Sequence, residues 1–238
     1  MRKYIVLKNY KTMKYQFAVA LLLLLVIFGC SNEPRVVTEG KIIYAIDYPN
    51  HKDNFFLYSI LPKEMEVNFK DGKMQSVIKK ANLINELLVD CNDKSFAAYF
   101  KYGDEAVNVT LTETDVKNML ADQPKYTIKM TSEKDTMAGF NVKKAIATSV
   151  TDPSDKIELW YTDEIQVKNS NWYNPFKEIK GFLLAYSIDR YGIRMDFKAK
   201  GFEDADIGSG QLVSHKDGLS IPYGDYNKKL DGLFQSFE

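Results

Sequence analysis

The side chains that could do chemistry in this 238-residue chain are few, and their spacing does not assemble a reaction centre. Neither His51 nor His215 lies near other Cys, His or Asp residues at the spacing of a zinc or iron ligand set. The run from Ser214 to Asp217 holds triad residue types, but adjacent side chains cannot aim at one another as a nucleophile and its base must. Asp204 to Gly208 lacks the remaining ligands of a calcium loop. We therefore expect no catalytic residues, no metal site and no cofactor, in a chain that is not an enzyme.

Cys30 follows a segment with the three-part layout of an export signal. Basic residues end at Lys14, an apolar run extends from Phe17 to Phe28, and Gly29 precedes the cysteine. As a helix this run spans about 18 Å, short of a hydrocarbon core of about 30 Å. The end of the segment resembles the lipobox of bacterial lipoproteins, which implies cleavage after residue 29 and acylation of Cys30. The alternative is an ordinary secretory signal followed by a chance cysteine.

The resemblance to lipoproteins implies a division of the chain and a location. Residues 1–29 are the expected lipoprotein signal peptide, residues 30–39 a lipidated tether, and residues 40–238 a single domain. Ser31-Asn32 is similar to the sorting signal of outer-membrane lipoproteins, so we expect an anchor in the outer membrane through Cys30, facing the periplasm or the cell surface. Without the leader the chain has 27 basic and 32 acidic residues. This acidic balance argues against a nucleic acid as partner.

Cys91 is left without a partner for an internal disulfide once Cys30 is acylated. It lies in phase with the apolar residues Leu83, Leu87 and Val89 of a predicted strand. We therefore expect a buried, unreactive thiol, and stability that comes from an apolar core.

Apolar and polar residues alternate with a period of two through much of residues 40–238, most clearly in Ile193–Lys200. This pattern predicts strands with one solvent-exposed face. Turn signals such as Asp71-Gly72 make neighbouring strands antiparallel. About eleven strands are expected, and a sheet of that length must curl or close. Helices are predicted over Asp53–Leu61, after a Thr114 cap, and from Asp225 to Phe237. The predicted class is α+β, a long curved antiparallel half-barrel with two or three helices on its concave face.

Three segments of the second half resemble a group of uncharacterised Gram-negative envelope proteins that includes the GLPGLI family. They are Gly139–Lys144, Trp160–Ile165 and Ile179–Leu184. The order of the predicted elements is also similar to that of the LolA/LolB lipoprotein carriers, in which helices cover the concave face of a half-barrel. The resemblance to these carriers implies that acyl chains occupy the space between sheet and helices.

Aromatic residues in and around the loop Asn169–Lys177 are the candidate ligand contacts. The five rings are Trp160, Trp172, Tyr173, Phe176 and Phe182. At a barrel mouth such rings could grip an apolar or sugar ligand; alternatively they plug the open end of the sheet as core. The sequence favours a carrier of a lipid or acyl chain. The alternative is a structural or interaction module that docks an envelope protein through a sheet edge or this loop.

Overall fold

Twelve strands and three helices build the part of the chain that the computed structural model describes, residues 35–208 and 210–235. The strands are β1 (Glu39–Asp47), β2 (Glu64–Lys70), β3 (Lys73–Lys80), β4 (Leu83–Asp90), β5 (Ser95–Tyr102), β6 (Glu105–Leu111), β7 (Tyr126–Met137), β8 (Phe140–Ser149), β9 (Lys156–Thr162), β10 (Phe182–Arg190), β11 (Ile193–Glu203) and β12 (Leu219–Ser220). The helices are α1 (Phe55–Ile60), α2 (Glu113–Ala121) and α3 (Tyr223–Gln235), and a 3-10 turn covers Pro49–His51. The predicted class is confirmed, and the two-residue β12 is the strand beyond the expected eleven.

All strands belong to one open, curved sheet in the order β12-β6-β5-β4-β3-β2-β1-β11-β10-β9-β8-β7. Neighbours are antiparallel except for β12, which runs parallel to β6. The ladder between β1 and β11 joins two local meanders, β1–β6 and β7–β11. The hairpin at Asp71 and Gly72 has φ values of 52° and 80°, as its sequence predicts.

The antiparallel order places the connections at two ends of the sheet. The β3–β4, β5–β6 and β10–β11 turns lie at one end. The β2–β3 and β4–β5 turns and the long β9–β10 loop lie at the other end, together with the start of β1. We refer to these as the turn end and the loop end.

The folded unit begins earlier than residue 40, at Val36. Val37 forms a parallel bridge with Ile165 in the β9–β10 loop. Its N–H donates to the Glu164 carbonyl at 2.8 Å, and its carbonyl accepts from the Gln166 N–H at 2.8 Å. The last residues of the predicted tether are therefore held by the domain, because their backbone groups find partners in that loop. The predicted signal peptide and Cys30 lie outside the described residues.

Two apolar clusters fill the fold. The larger lies inside the curve and includes the fully buried Tyr44, Phe69 and Phe140. The smaller lies on β8 and β9, where Phe176 and Ile179 of the β9–β10 loop cover the strands. Cys91 belongs to the larger cluster with 1% of its surface exposed, and burial raises the pKa of its thiol to about 12. The expectation of a buried thiol is confirmed, and such a group stays protonated at neutral pH.

The helices begin at other residues than the sequence suggested. The cap of α2 is Thr112, where we predicted Thr114: its hydroxyl accepts the Asp115 N–H at 3.3 Å while the Asp115 carboxylate accepts the Thr112 N–H at 2.9 Å. This reciprocal capping box starts the helix earlier. Helix α1 begins at Phe55, and α3 begins at Tyr223.

Among the described residues, none of the helices combines the length and the apolarity that a crossing of a lipid bilayer requires.

The capping box predicts a difference between two threonines of the same segment. Thr112→Ala should lower the melting temperature by about 2–4 °C, because the first turn of α2 loses its side-chain acceptor. Thr114→Ala is the control, since Thr114 is exposed and inside the helix. Thermal unfolding followed by circular dichroism measures both, and equal melting temperatures for the two variants would show that the box contributes nothing.

Candidate functional site

A cavity of about 770 Å³ lies between the concave face of the sheet and helices α1 and α3. Strand alternation supplies most of its walls: alternate side chains of β2, β3, β4, β5 and β11 line it, and so do those of β10 from Tyr186 onward. Most of the lining is aliphatic or aromatic, as in Met65, Ile78, Leu87 and Phe197. The site is therefore an apolar hollow of the size that takes a small-molecule ligand.

The mouth of the cavity lies at the turn end. The exposed residues of its lining lie there, at the β3–β4 tip (Ala81, Asn82), at the β5–β6 tip (Tyr102, Gly103) and on α1 (Phe56). Lining residues at the loop end, such as Phe96 and Phe182, are buried. The hollow therefore opens at one end and is closed by core at the other.

Helix α3 crosses the mouth like a lid between two parts of the sheet. On one side Lys229 forms an ion pair with Glu105 of β6 at 2.5 Å. On the other side Asn227 accepts the Tyr191 hydroxyl at 2.7 Å, and the Phe234 ring stacks on the Tyr191 ring at 5.5 Å. Tyr226 and Leu230 of α3 are also buried in the larger cluster, so both apolar packing and these side-chain contacts hold the lid.

Two glycines lie within this lid, Gly224 and Gly232. A Cβ atom at either position would meet nothing within 4 Å. Packing therefore does not require a glycine at these two positions of α3.

Helix α1 forms the opposite part of the mouth. The Lys80 ammonium group at the end of β3 donates to the carbonyls of Ser59 and Leu61, the latter at 3.0 Å. Phe55 and Phe56 at the start of α1 are 84% and 67% exposed. The Phe56 ring lines the entrance, and the Phe55 ring is exposed next to it in the chain.

Three of the tyrosines that line the cavity supply neutral hydroxyl groups to its wall. The Tyr44 hydroxyl donates to the Leu183 carbonyl at 2.7 Å, and burial raises the pKa of Tyr44 well above its ordinary value. Burial also raises the pKa of Tyr173 and Tyr186. Because these phenols stay protonated, the interior walls carry hydrogen-bonding capacity without charge.

The structure separates the five aromatic residues singled out in the sequence. Tyr173 and Phe182 line the cavity at the loop end. Trp172 packs beside Tyr173, with ring centroids 6.3 Å apart, but outside the lining. Phe176 is buried in the smaller cluster against Tyr126 at 5.6 Å.

Trp160 is half-buried on β9, with the Lys144 ammonium 5.5 Å from the centre of its ring. The residues therefore do not form one surface. The two that line the cavity, Tyr173 and Phe182, help to close it at the loop end, whereas the mouth lies at the turn end.

The two basic residues at the mouth were not predicted from the sequence, although the alternation of their strands includes them. Lys80 continues the inward phase of Ser76 and Ile78, and Arg190 continues that of Tyr186 and Ile188. Period-two alternation extends through these basic residues, so their position at the rim follows from register.

The run from Ser214 to Asp217 lies outside the cavity and packs on the sheet. The His215 ring stacks on Tyr99 at 4.1 Å, and its Nε2 lies 3.1 Å from the buried carboxylate of Glu86. His215 Nδ1 lies 3.4 Å from Asp217. Within the described residues no group of three or more His, Cys, Asp and Glu could hold a metal ion. The histidine therefore binds its segment to the sheet.

Comparison with solved structures finds similarity of fold to PNGF-II in two crystal forms, C2 and P21. The identity is 18% in both, the TM-scores are 0.52 and 0.51, and the match covers 82% and 81% of this chain. It covers 33% of PNGF-II, so this chain spans about a third of that protein's length. At this identity the likeness concerns the fold alone.

LprF from Mycobacterium bovis is 18% identical over 71% of this chain and 88% of its own, with a TM-score of 0.29, below the value that indicates a shared fold. No family model and no curated protein matches the chain. The resemblance to the GLPGLI group therefore stays a prediction from the sequence.

The lid contacts predict that Asn227 holds α3 in place. Asn227→Ala removes the acceptor of the Tyr191 hydroxyl and should destabilise the lid by about 1–3 kcal/mol, the cost of a part-buried donor left without its partner. Hydrogen exchange of the α3 amides should accelerate while that of β1 and β11 stays unchanged. Lys228→Ala, an exposed position of the same helix, is the control. Unchanged exchange in Asn227→Ala would contradict this role.

Proposed function

We propose that this chain is a non-enzymatic, membrane-tethered protein of the cell envelope that holds a lipid or acyl chain in its cavity. The observation that carries the proposal is the apolar hollow of about 770 Å³ with a mouth at one end of the sheet. Its lining combines apolar side chains with a few hydroxyl, amide and basic groups, which is the composition of a binding pocket.

The energetics of the hollow support an occupant. The hollow opens to the surroundings at the turn end, and most of its wall is apolar. The hollow is therefore filled by water or by a ligand. Each methylene group that replaces water at an apolar wall contributes about 0.8 kcal/mol, so a long hydrocarbon chain gains more than any small polar molecule.

The membrane tether of the proposal rests on Cys30 and its leader. Acyl chains on this thiol would hold the domain at a bilayer, the source of apolar ligands. Localisation to the outer membrane is part of the same proposal and rests on Ser31-Asn32.

The rival proposal, a module that docks a partner by strand addition, would use a free edge of the sheet. The edge strand β7 is twelve residues long and carries Lys129, Glu133, Lys134 and Asp135 as exposed side chains. Charges of this kind protect an edge against pairing with another chain. The edge therefore favours the ligand-binding proposal over the docking module.

A large side chain placed in the cavity should weaken binding. Ser76 lies at an inward position of β3, and Ser76→Trp would place an indole in the hollow. The affinity for N-phenyl-1-naphthylamine, a neutral fluorescent probe, should fall at least about tenfold. Lys79→Trp, on the outer face of the same strand, is the control and should bind as the wild type does.

The binding experiment separates the proposals. A wild-type protein that neither enhances the fluorescence of the probe nor yields lipids on extraction and mass spectrometry would refute ligand carriage. Binding that survives Ser76→Trp unchanged would place the ligand elsewhere.

Acylation makes a separate prediction. Labelled palmitate should be incorporated into the wild-type chain and not into Cys30→Ala, which should leave the membrane fraction. Cys91→Ala is the control that should remain labelled, because that thiol is buried. Equal labelling of Cys30→Ala and the wild type would refute the tether.

A further inference from the structure

The charge around the cavity is of one sign. Among the described residues that line it, Lys80 and Arg190 are the charged ones, and both lie at the mouth. The chain after residue 29 has more acidic than basic residues. The two cations at the entrance are therefore a local feature and do not follow from a generally basic surface.

The ammonium group of Lys80 already has hydrogen-bond partners within the protein. It donates to two carbonyls at the C-terminal end of α1, where helix carbonyls lack partners of their own. This lysine therefore fixes α1 against β3.

Arg190 also has neutral partners, and its guanidinium lies 5.2 Å from the centre of the Tyr191 ring. Its Nη2 donates to the Tyr223 hydroxyl at 2.7 Å and to the side-chain Oδ1 of Asn227 at 3.4 Å, both neutral acceptors on the lid. Within the described part of the chain, no carboxylate lies within ion-pair distance of it. The nearby Asp231 of α3 accepts instead from Gln235 at 3.0 Å.

Arg194 shows the contrast on the neighbouring strand. It points to the outer face, and its guanidinium lies 3.1 Å from Asp155, 3.4 Å from Asp189 and 3.6 Å from Asp196. The outward arginine is neutralised by three carboxylates, whereas the half-buried arginine at the cavity mouth has no carboxylate partner among the described residues.

We propose that the ligand is an amphiphile with an anionic oxygen head group, which Arg190 binds at the mouth while the hydrocarbon chain fills the cavity. This inference rests on the proposed function and names its ligand class. A guanidinium presents a planar fork of donors that matches a carboxylate or a phosphate. Its contacts with Tyr223 and Asn227 occupy one nitrogen and hold the fork at the rim. A charge at the edge of an apolar space gains most from a partner of opposite sign.

Three ligands with one chain length test this inference on the purified, delipidated full chain at pH 8. They are dodecanoate, dodecyl phosphate and 1-dodecanol, each displacing N-phenyl-1-naphthylamine. At least one of the two anions should bind at least about tenfold tighter than the alcohol. This preference should shrink as NaCl is raised, whereas the affinity for the alcohol should not weaken. The carboxylate and phosphate arms distinguish a fatty acid from a phospholipid as the source.

Substitution at Arg190 assigns the preference to this side chain. Arg190→Gln should erase the preference, so that the two anions and 1-dodecanol bind with similar affinity, and Arg190→Lys should retain only part of it. Arg194→Gln is the matched control, an arginine outside the cavity that should keep the full preference. Melting temperatures of all three variants report whether the fold survives.

The outcomes separate the two proposals. If the alcohol binds and no anion is preferred, or if the preference persists in Arg190→Gln, the head-group assignment is overturned and the ligand-binding function stands. If none of the three ligands displaces the probe from the wild type, both fall. If Arg190→Gln fails to fold, the salt dependence of the wild-type preference for anions over 1-dodecanol still tests the head-group assignment.

Discussion

The ladder between β1 and β11 is the contact on which the rest of the structure depends. Each of the two meanders it joins is local in sequence, but neither surrounds a space alone. The pairing of Tyr44 with Ala199 sets the inward register across the junction, and the Tyr44 hydroxyl extends the connection to Leu183 of β10. Such distant strands meet only after a large loop-closure cost, so this ladder is also the step expected to limit folding.

The cavity follows from what covers the sheet. Over β8 and β9 the β9–β10 loop lays Phe176 and Ile179 on the strands and leaves a solid cluster. Over β2 to β5 the loop reaches the cavity at the loop end, through residues such as Tyr173. Helices α1 and α3 cover the sheet at the turn end. A sheet this wide presents more inward surface than its own side chains can fill. The length and path of one loop therefore decide where the interior is packed and where it is hollow.

Sequence reasoning could predict much of the sheet because strands are specified locally. The alternation in Ile193–Lys200 and the Asp71-Gly72 turn each have one physical reading, and the structure agrees. The path of the β9–β10 loop has no such local signal: Tyr173 and Phe176 are three positions apart and enter different clusters. The start of α2 was predicted wrongly because Thr112 and Thr114 offer the same capping side chain. Only Asp115, three residues after Thr112, completes a capping box and distinguishes them. The cavity depends on how segments distant in the sequence pack together, and no short segment encodes that packing.

Gly232 of α3 has a consequence for how readily this helix opens. Inside the helix it costs about 1 kcal/mol relative to alanine, although no neighbour demands a small residue there. Because α3 holds no strand in register, it can detach by local opening while the main-chain ladders stay intact. Local opening of these thirteen residues would expose the interior while the sheet stays folded, so access to the cavity is governed separately from the lifetime of the fold.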